Sequence, residues 1–417
     1  MRILPPNVAL TEEPSALALK RLECSEADSA ASRRIFSVSS QGNGMRVLIT
    51  TDTITSTWTY TRELVSGLVS QGARVTLVSF GEIPLPEQTS WMGLLHGLEY
   101  RPTAFRLEWM QEGEADFKDA SSYLISLCRE HRPDVLHTTQ FGFGSLPIHV
   151  PKVVVAQGDL VSWWLTVHGR EPKESRWMRW YRDTVTRGLL GADLVVSPSE
   201  WMLKMLGRSY VRPLDSAVVP NGRNPIFFNP YVNKEESILS VGRMWDAGKQ
   251  VNLLTQQRHA FPVCIVGADH PVASPRLPIR ADVKVSTEEL SVALKGPQTE
   301  NQLRLLYSKA PIFAATARYD PMGLNAIEAA LSRCALVVND IPSFRESWGD
   351  SALYFKTNNA ADLSESLRQL SSDRELCRGY ANRAYQRARE RFTGARMTSA
   401  YLELYRGLLG SRTSAVA

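Results

Sequence analysis

The chain has 417 residues, 43% of them hydrophobic and 22% charged, and a formal net charge of +5. This length predicts two domains, because single hydrophobic cores stop growing at roughly 250–300 residues. Charges of both signs are dispersed along the chain rather than gathered in a basic stripe, so we expect no nucleic-acid partner.

The sequence also lacks the marks of a membrane span, an exported protein or a metal site. It contains no run of about 18 apolar residues, and its N-terminus lacks the apolar stretch and cleavage site of a secretory signal. The five cysteines include no CxxC pair, and the seven histidines show no HxxxH spacing. We therefore expect a cytoplasmic protein with reduced thiols and no bound metal.

Residues 1–44 are rich in proline, serine and alanine and show no sustained apolar period. We interpret them as a disordered leader, or as an upstream extension of a chain that truly starts at Met45. An alternation of strands and helices begins there. The run 45–51 predicts a strand, 58–72 an amphipathic helix and 73–80 a second strand, which together form a right-handed βαβ unit.

The same alternation continues and then restarts. Further strands are predicted at 133–139, 151–157, 192–198 and 216–222, then at 237–243, 261–267, 292–297, 311–317, 334–340 and 351–355. Helices are predicted at 116–131, 173–190, 199–206, 299–308, 323–333, 343–348, 360–371, 374–392 and 396–410. This pattern predicts two doubly wound, Rossmann-like parallel-sheet domains, 45–220 and 221–396, that face a cleft.

Ligands of open α/β sheets bind beyond the carboxyl ends of the strands, where helix N-termini offer free N–H groups. In SVGRMWDAGK, Arg243 follows a predicted strand and Lys249 lies six residues later. A guanidinium fork and an ammonium placed together suit a diphosphate. The alternative is two solvated surface cations beside a loop.

A second candidate site is ARYDPMGLNAIEAA, at a junction from strand to helix. The backbone N–H groups of Met322, Gly323 and Leu324 are expected to face the cleft with the helix dipole behind them. Glu328, about one turn into this helix, would then hold a ribose by two hydroxyls. The alternative is that Asp320 only favours the helix dipole and that Glu328 is solvated.

These stretches resemble a known family. GRMWDAGK, and GPQTENQLRLLYSKAPIFAATARYDPMGLNAIEAALSRCALVVNDIPSFRESW after it, closely resemble the retaining GT-B glycosyltransferases of family GT4, also called glycosyltransferase group 1. TDTITSTWTYTRELVSGL and PNGRN are also similar to that family. The resemblance runs from about residue 45 to the C-terminus. It implies a GT-B fold, a last helix (397–411) that returns to the N-terminal domain, and transfer of a hexose to an acceptor hydroxyl with retained configuration.

The resemblance also implies roles for single residues. Arg243 and Lys249 match the basic pair that binds the donor diphosphate and stabilises the leaving group. Asp320 falls at the first glutamate of the family's E-x7-E motif, beside the donor sugar, and Glu328 matches the second, on the ribose. The backbone donors near the sugar and phosphate are Met322, Gly323 and Leu324. A nucleotide-sugar is then the substrate, and neither a cofactor nor a metal is required.

The chain departs from the family pattern at three places. Asp320 is one methylene shorter than the family's glutamate. The first loop carries Ser56 and Thr57 on the acceptor side and lacks the glycine pair of relatives. Gln157 stands where relatives have histidine, so it can hydrogen-bond a sugar but cannot shuttle a proton. Asp159 is either an acceptor-side carboxylate or a buried structural aspartate.

The stretch 163–188 is both aromatic and basic. One interpretation is peripheral contact with the inner membrane face or with a lipid acceptor. In the other, Trp177, Trp180 and Tyr181 share a helical face that packs inside the domain. The sequence leaves a saccharide, a lipid or a small molecule as the acceptor. Two rival functions also stay open, a sugar phosphorylase of the same fold and a catalytically weakened relative that binds nucleotide-sugars.

Overall fold

The computed structural model describes residues 44–268, 291–321 and 323–416. The predicted leader, except Gly44, and the predicted donor-site residue Met322 lie outside the described residues. The remainder forms two parallel sheets with helices on both faces. We call the first sheet and its helices the N-terminal lobe, and the second sheet and its helices the C-terminal lobe.

The N-terminal lobe is built on a seven-stranded sheet, counted over the described residues. Its strands are β1 (Arg46–Asp52), β2 (Arg74–Phe80), β3 (Leu98–Pro102), β4 (Val135–Thr138), β5 (Lys152–Val155), β6 (Leu194–Ser197) and β7 (Ser216–Val218). Its helices are α1 (Thr57–Ser70), α2 (Pro86–Thr89), α3 (Gly113–His131), α4 (Leu160–His168), α5 (Arg176–Gly191) and α6 (Glu200–Ser209).

The C-terminal lobe has a six-stranded sheet within the part of the chain that the structure describes. Its strands are β8 (Ile238–Val241), β9 (Val263–Val266), β10 (Val292–Lys295), β11 (Ile312–Ala315), β12 (Ala335–Asn339) and β13 (Leu353–Phe355). Its helices are α7 (Glu300–Lys309), α8 (Leu324–Leu331), α9 (Pro342–Trp348), α10 (Ala360–Ser372) and α11 (Arg374–Arg391). The last helix is α12 (Gly394–Val416).

Local sequence explains where several of these elements begin. Ser175 caps α5 by accepting from the Met178 N–H, and Ser199 caps α6 by accepting from the Met202 N–H. Such caps satisfy backbone donors that have no partner inside the helix. The strands are short apolar runs because helices cover both faces of a parallel sheet, and six of the seven residues of β1 are buried.

Strand order places the site. The sheets run β3-β2-β1-β4-β5-β6-β7 and β10-β9-β8-β11-β12-β13, and every strand pair is parallel. The order reverses between β1 and β4 in one sheet and between β8 and β11 in the other. Crevices for ligands form at such switch points, beyond the carboxyl ends of the strands. The prediction of two doubly wound parallel-sheet domains is confirmed.

The last helix, α12, packs on the N-terminal lobe. Met397, Tyr401 and Tyr405 are fully or almost fully buried in the same core as Val47 and Ile49 of β1. The chain therefore crosses from the N-terminal lobe to the C-terminal lobe and back. No helix among the described residues is both long and apolar enough to cross a membrane.

The sequence predictions include neither β3 nor α4. The strand β3 lies at the edge of its sheet, and its sequence LEYRP is only partly buried, so it lacks an apolar run. The helix α4 begins at Asp159, whose carboxylate accepts from the Val161 and Ser162 N–H groups. An aspartate directly before an apolar run is a signal for the start of a helix, so the sequence does contain an indication of α4.

Candidate active site

A cavity of about 920 Å³ lies between the two lobes. From the C-terminal lobe, the predicted residues Arg243, Lys249 and Asp320 line it, and from the N-terminal lobe Ser56, Thr57, Gln157 and Asp159 line it. The two switch points thus open into one space. The structure brings together seven of the predicted site residues.

The loop after β8 is folded around Asp246. One oxygen of this buried carboxylate accepts from the Gly248 N–H at 2.9 Å, and the other pairs with Arg243 at 2.7 Å. The Arg243 guanidinium also lies over the Trp245 ring, 4.7 Å from its centroid. Two contacts therefore fix Arg243 at the cavity wall while 38% of its side chain stays exposed to a ligand.

Lys249 and Asp320 meet at the same wall. The Lys249 Nζ atom lies 3.5 Å from Asp320 Oδ2, and Asp320 Oδ1 accepts from the Gly323 N–H at 3.1 Å. Gly323 has a φ of 65° and precedes the first residue of α8. A left-handed conformation of this kind suits glycine. Asp320 therefore shapes the turn into α8 and also presents a charge to the cavity.

The predicted ribose ligand Glu328 has a different environment. Its side chain is buried on α8, and its Oε1 atom lies 2.8 Å from Arg223 Nε. Among the described residues, Glu328 does not belong to the lining of the cavity, and neither do Gly323 and Leu324. Leu324 is buried in the core with Val219 of the N-terminal lobe. The proposed contacts of these residues with a donor stay predictions.

Arg223 is the centre of a buried ionic network. It contacts Glu328, Glu63 Oε1 at 2.6 Å and Glu300 Oε1 at 2.7 Å, and only 1% of its side chain is exposed. Burial disfavours its charge, but the surrounding carboxylates outweigh burial and raise the pKa of Arg223. Burial also acts to raise the pKa of Glu300, yet Arg62 and Arg223 together lower it to about 2. Arg62 pairs with both carboxylate oxygens of Glu300.

The first loop of the N-terminal lobe folds without the glycine pair of the family. Asp52, at the end of β1, accepts from the Ile54 N–H at 3.1 Å and from the Thr55 N–H at 2.7 Å. The Thr55 hydroxyl donates to the second Asp52 oxygen at 2.9 Å. This aspartate-centred turn carries Ser56 and Thr57 to the cavity wall. Burial raises the pKa of Asp52.

Gln157 and Asp159 are both held by other residues. Gln157 exchanges two hydrogen bonds with Asn221, at 3.1 and 2.8 Å. Asp159 caps α4, accepts from the Tyr210 hydroxyl at 2.8 Å and bonds the Ser162 hydroxyl. These contacts agree with the structural interpretation of Asp159. Because both side chains also line the cavity, an acceptor-side role stays a prediction for each.

The aromatic side chains of the stretch 163–188 are buried or partly buried, whereas residues 168–171 and 173–176 are exposed. Tyr181 is buried, Trp177 Nε1 donates to the Met110 carbonyl at 2.9 Å, and the Trp180 ring lies 6.0 Å from the Phe117 ring. These three side chains pack inside the lobe, as the second interpretation holds. Trp163 and Trp164 line the cavity, and so do Trp177 and Tyr181. Peripheral membrane contact stays a prediction.

Comparison with known proteins identifies the family. The model described as "Glycosyl transferase 4-like domain" matches residues 56–222, and the model described as "Glycosyl transferases group 1" matches residues 228–387. The chain belongs to the GT4-type group 1 glycosyltransferases. The family predicted from the resemblance of the sequence motifs is thereby confirmed.

Several individual proteins are similar to this glycosyltransferase. O-antigen chain mannosyltransferase C of Escherichia coli is 23% identical over 60% of this chain and 70% of its own length. Sucrose-phosphate synthase from Thermosynechococcus elongatus shares the fold with a TM-score of 0.69, at 15% identity, over 88% of this chain and all of its own. Anabaena HepE, solved in complex with UDP and glucose, has the same fold with a TM-score of 0.64. It is 12% identical over 87% of this chain and 100% of its own.

Glu108 and Tyr319 are two of the cavity residues of the glycosyltransferase that the sequence predictions did not include. Glu108 is buried, and its two carboxylate oxygens accept from the Phe141 and Gly142 N–H groups at 2.7 and 2.8 Å. Burial raises its pKa to about 7. The Tyr319 hydroxyl accepts from the Asp159 N–H at 3.0 Å and contacts the Ser162 hydroxyl at 2.9 Å. Glu108 carries no motif, whereas Tyr319 stands next to the predicted Asp320.

Proposed function

We propose that this glycosyltransferase moves a hexose from a nucleotide-sugar donor to an acceptor hydroxyl and retains the anomeric configuration. The convergence of Arg243, Lys249 and Asp320 on one wall of the inter-lobe cavity carries the proposal. The two cations suit a diphosphate, and the carboxylate suits the sugar beside it. The complex of the Anabaena relative with UDP and glucose supports a nucleotide-sugar donor.

In the proposed reaction, the bond between the anomeric carbon and the donor phosphate breaks as the acceptor oxygen bonds to that carbon. Negative charge then builds on the leaving diphosphate, where Arg243 and Lys249 stabilise it. Positive charge builds on the sugar ring, where the Asp320 carboxylate would stabilise it. The acceptor attacks from the face that the nucleotide leaves, and a departing phosphate oxygen takes the acceptor's proton.

Gln157 and Glu328 complete the proposed arrangement. Gln157 has no titratable proton, so it would orient a hydroxyl rather than act as a base. Glu328 would bind the ribose with its carboxylate oriented by Arg223, which already contacts it at 2.8 Å. The described residues contain no group of three or more His, Cys, Asp and Glu side chains that could hold a metal ion. That no metal is required, and that the protein works in the cytoplasm, stay predictions.

The donor is tested by thermal shift with a panel that includes UDP-glucose, UDP-galactose, GDP-mannose and ADP-glucose. The correct donor should raise the melting temperature, because a ligand that binds only the folded state stabilises it. Product analysis by NMR then gives the anomeric configuration. Inversion would contradict the retaining mechanism. Cleavage of a disaccharide by phosphate without nucleotide would indicate the phosphorylase, and nucleotide-sugar binding without transfer the weakened relative.

Lys249→Ala tests whether the donor diphosphate binds at the wall formed by Arg243, Lys249 and Asp320. We expect transfer to fall at least about 100-fold, because one preorganised donor to developing charge contributes roughly that much. The melting temperature should change little, since the ion pair that Lys249 forms with Asp320 in the described part of the chain is long, at 3.5 Å. Lys356→Ala is the matched control, because Lys356 is 81% exposed in the same lobe. Full transfer by Lys249→Ala would show that the donor diphosphate binds elsewhere.

A further inference from the structure

Part of the lining that the N-terminal lobe supplies to the cavity is aromatic, and we call this part the aromatic wall. The side chains come from the loop before α3, from the turn after β4, from α4 and from α5. The members used below are Trp109, Met110, Phe141, Trp163, Trp164 and Trp177. From the sequence, the part of this wall in the stretch 163–188 has two interpretations, contact with a membrane or a lipid acceptor and packing inside the domain.

Contacts hold this aromatic wall in place, and it begins beside the loop after β8 that carries Arg243 and Lys249. A Cβ atom added at Gly248 would lie only 2.6 Å from Trp163 Nε1, so the Trp163 indole touches the backbone next to Lys249. Trp164 packs on His168 with ring centroids 4.6 Å apart. The hydrogen bond from Trp177 to the Met110 carbonyl joins α5 to the opposite loop. A molecule that reacts near Lys249 therefore lies close to the Trp163 indole.

The carboxylates within this wall are already occupied. Both oxygens of Glu108 accept backbone N–H groups, and Asp159 is taken up by the α4 cap, Ser162 and Tyr210. A saccharide site pairs its aromatic platform with polar side chains that are available to several hydroxyls. In the aromatic wall the indole and Met side chains lie beside carboxylates that are already engaged, which favours an apolar ligand there over a second sugar.

Charged side chains stand at another part of the same cavity. Arg170, Glu171, Lys173 and Glu174, in the loop between α4 and α5, are exposed and line it as well. The aromatic wall is thus one side of a cavity that charged residues also line, and it is not an open apolar surface. A separate small molecule suits this shape better than a flat bilayer does.

We propose that the acceptor carries its reacting hydroxyl on a molecule with a bulky apolar group, and that this group binds between α4, α5 and the loop that contains Trp109. The inference rests on the proposed transferase function and names the acceptor class for the same cavity. Indole faces and a thioether remove such a group from water, and each buried methylene contributes to affinity.

The test measures binding of three probes to the full chain by calorimetry, without any donor. Methyl, n-octyl and 2-naphthyl β-D-glucoside share the same sugar hydroxyls and differ only in the apolar group. We expect octyl or naphthyl glucoside, below its micelle concentration, to bind roughly 100-fold tighter than methyl glucoside, given the area that becomes buried. A preference for octyl indicates a lipid-like acceptor, and a preference for naphthyl an aromatic one. Equal affinity for all three overturns the inference.

Variants locate the site. Trp164→Ala, and Trp109→Ala as a second variant, should weaken the preferred probe about tenfold through lost apolar contact and leave methyl glucoside unchanged. Trp91→Ala is the matched control, because Trp91 is a partly buried indole of the same lobe outside the cavity. Unchanged probe affinity in both cavity variants would overturn the placement.

The same proteins separate this inference from the proposed function. Each variant is also tested for the thermal shift caused by the donor identified above, which Trp164→Ala should retain. Intact donor binding without any apolar preference would overturn the inference alone. An apolar preference in a protein that binds no nucleotide-sugar would contradict the proposed function, and with it the assignment of the apolar ligand as an acceptor.

Discussion

Asp320 shows how a one-methylene difference fits its surroundings. Its Oδ1 atom accepts from the Gly323 N–H three residues later, and its Oδ2 atom faces Lys249. A short aspartate side chain is well suited to this local hydrogen bond, which competes with regular structure in turns. The departure from the family's glutamate therefore supports the turn into α8 and keeps a charge on the cavity wall.

Asp320→Asn separates these two roles. The amide oxygen can still accept from the Gly323 N–H, but the negative charge that faces Lys249, and that we propose lies beside the donor sugar, is lost. We expect transfer to fall about 10- to 100-fold, because a fixed charge near developing charge contributes to the barrier. The melting temperature should stay close to that of the wild type. Rates and thermal shifts of both proteins are measured with the same donor.

The control for that variant is Asp340→Asn. Asp340 is an exposed carboxylate of the same lobe that pairs with Arg345 at 2.6 Å, outside the cavity. Its loss should leave transfer unchanged, since exposed pairs contribute little. A normal rate in Asp320→Asn would remove this carboxylate from the reaction and leave it a purely structural residue.

At single positions, the sequence predicts the local element that carries a side chain, but it does not predict contacts with residues that are distant in the sequence. The spacing correctly put Glu328 on the helix that follows Asp320. Its ion-pair partner Arg223 lies in the segment that joins β7 to β8, and no sequence pattern indicates that Arg223 and Glu328 are in contact. Arg243 and Lys249 were accessible to sequence reasoning because one loop carries both.

Among the elements, Tyr319 couples α4 to the loop that carries Asp320. Its hydroxyl accepts from the Asp159 N–H at the start of α4 and meets Ser162 in the first turn. Its ring lies 5.6 Å from the Trp201 ring on α6. A residue of the C-terminal lobe is thus buried against two helices of the N-terminal lobe, and its neighbour lines the cavity.

Tyr319→Phe should weaken this coupling while the ring packing remains. The buried Asp159 N–H loses its acceptor, which costs about 1–3 kcal/mol of unfolding free energy. Because Asp320 is the next residue, we also expect kcat to fall more than the donor KM rises. The readouts are chemical denaturation and steady-state kinetics.

Tyr354→Phe provides the comparison for that variant. The Tyr354 hydroxyl donates to the Phe344 carbonyl at 3.2 Å, within the C-terminal lobe alone. This variant should lose stability without a change in kcat. If Tyr319→Phe behaves in the same way, Tyr319 contributes stability only and does not position Asp320.

The sequence predicts those strands and helices whose burial produces a clear apolar pattern. Parallel strands such as β1 and β12 are buried on both faces, so they appear as short apolar runs. The edge strand β3 escapes the same logic because its residues are only partly buried. Contacts such as Tyr319 with α4 depend on how the lobes meet, and no local period encodes that.

At the scale of the whole molecule, one ionic network ties the lobes together. Arg62 and Glu63 lie on α1 of the N-terminal lobe, Glu300 begins α7 of the C-terminal lobe, and Arg223 lies in the segment that joins the two sheets. Removing one partner of a buried pair leaves an uncompensated charge, which is costly. The network should therefore stabilise the arrangement of lobes that encloses the cavity.

Glu300→Gln tests this network through its pH dependence. The folded pKa of Glu300 is lowered to about 2 from an ordinary 4.5, although burial opposes this shift, because Arg62 and Arg223 favour the carboxylate. A lowered carboxyl pKa stabilises the fold above pH 4.5, and this stability is lost as the pH falls toward 2. Since 32% of the side chain is exposed, we discount the effect to about 2 kcal/mol.

The free energy of unfolding is measured for both proteins between pH 7 and pH 2.5, at low salt and at 1 M salt. We expect the gap between wild type and Glu300→Gln to be largest near pH 7, to shrink below pH 4.5 and to narrow in high salt. Glu365→Gln is the control, because Glu365 forms an exposed pair with Arg368 on one helix. A gap for Glu300→Gln that stays constant from pH 7 to pH 2.5 would mean that its charge does not hold the lobes, because an ionised carboxylate is the only form that Arg62 and Arg223 favour.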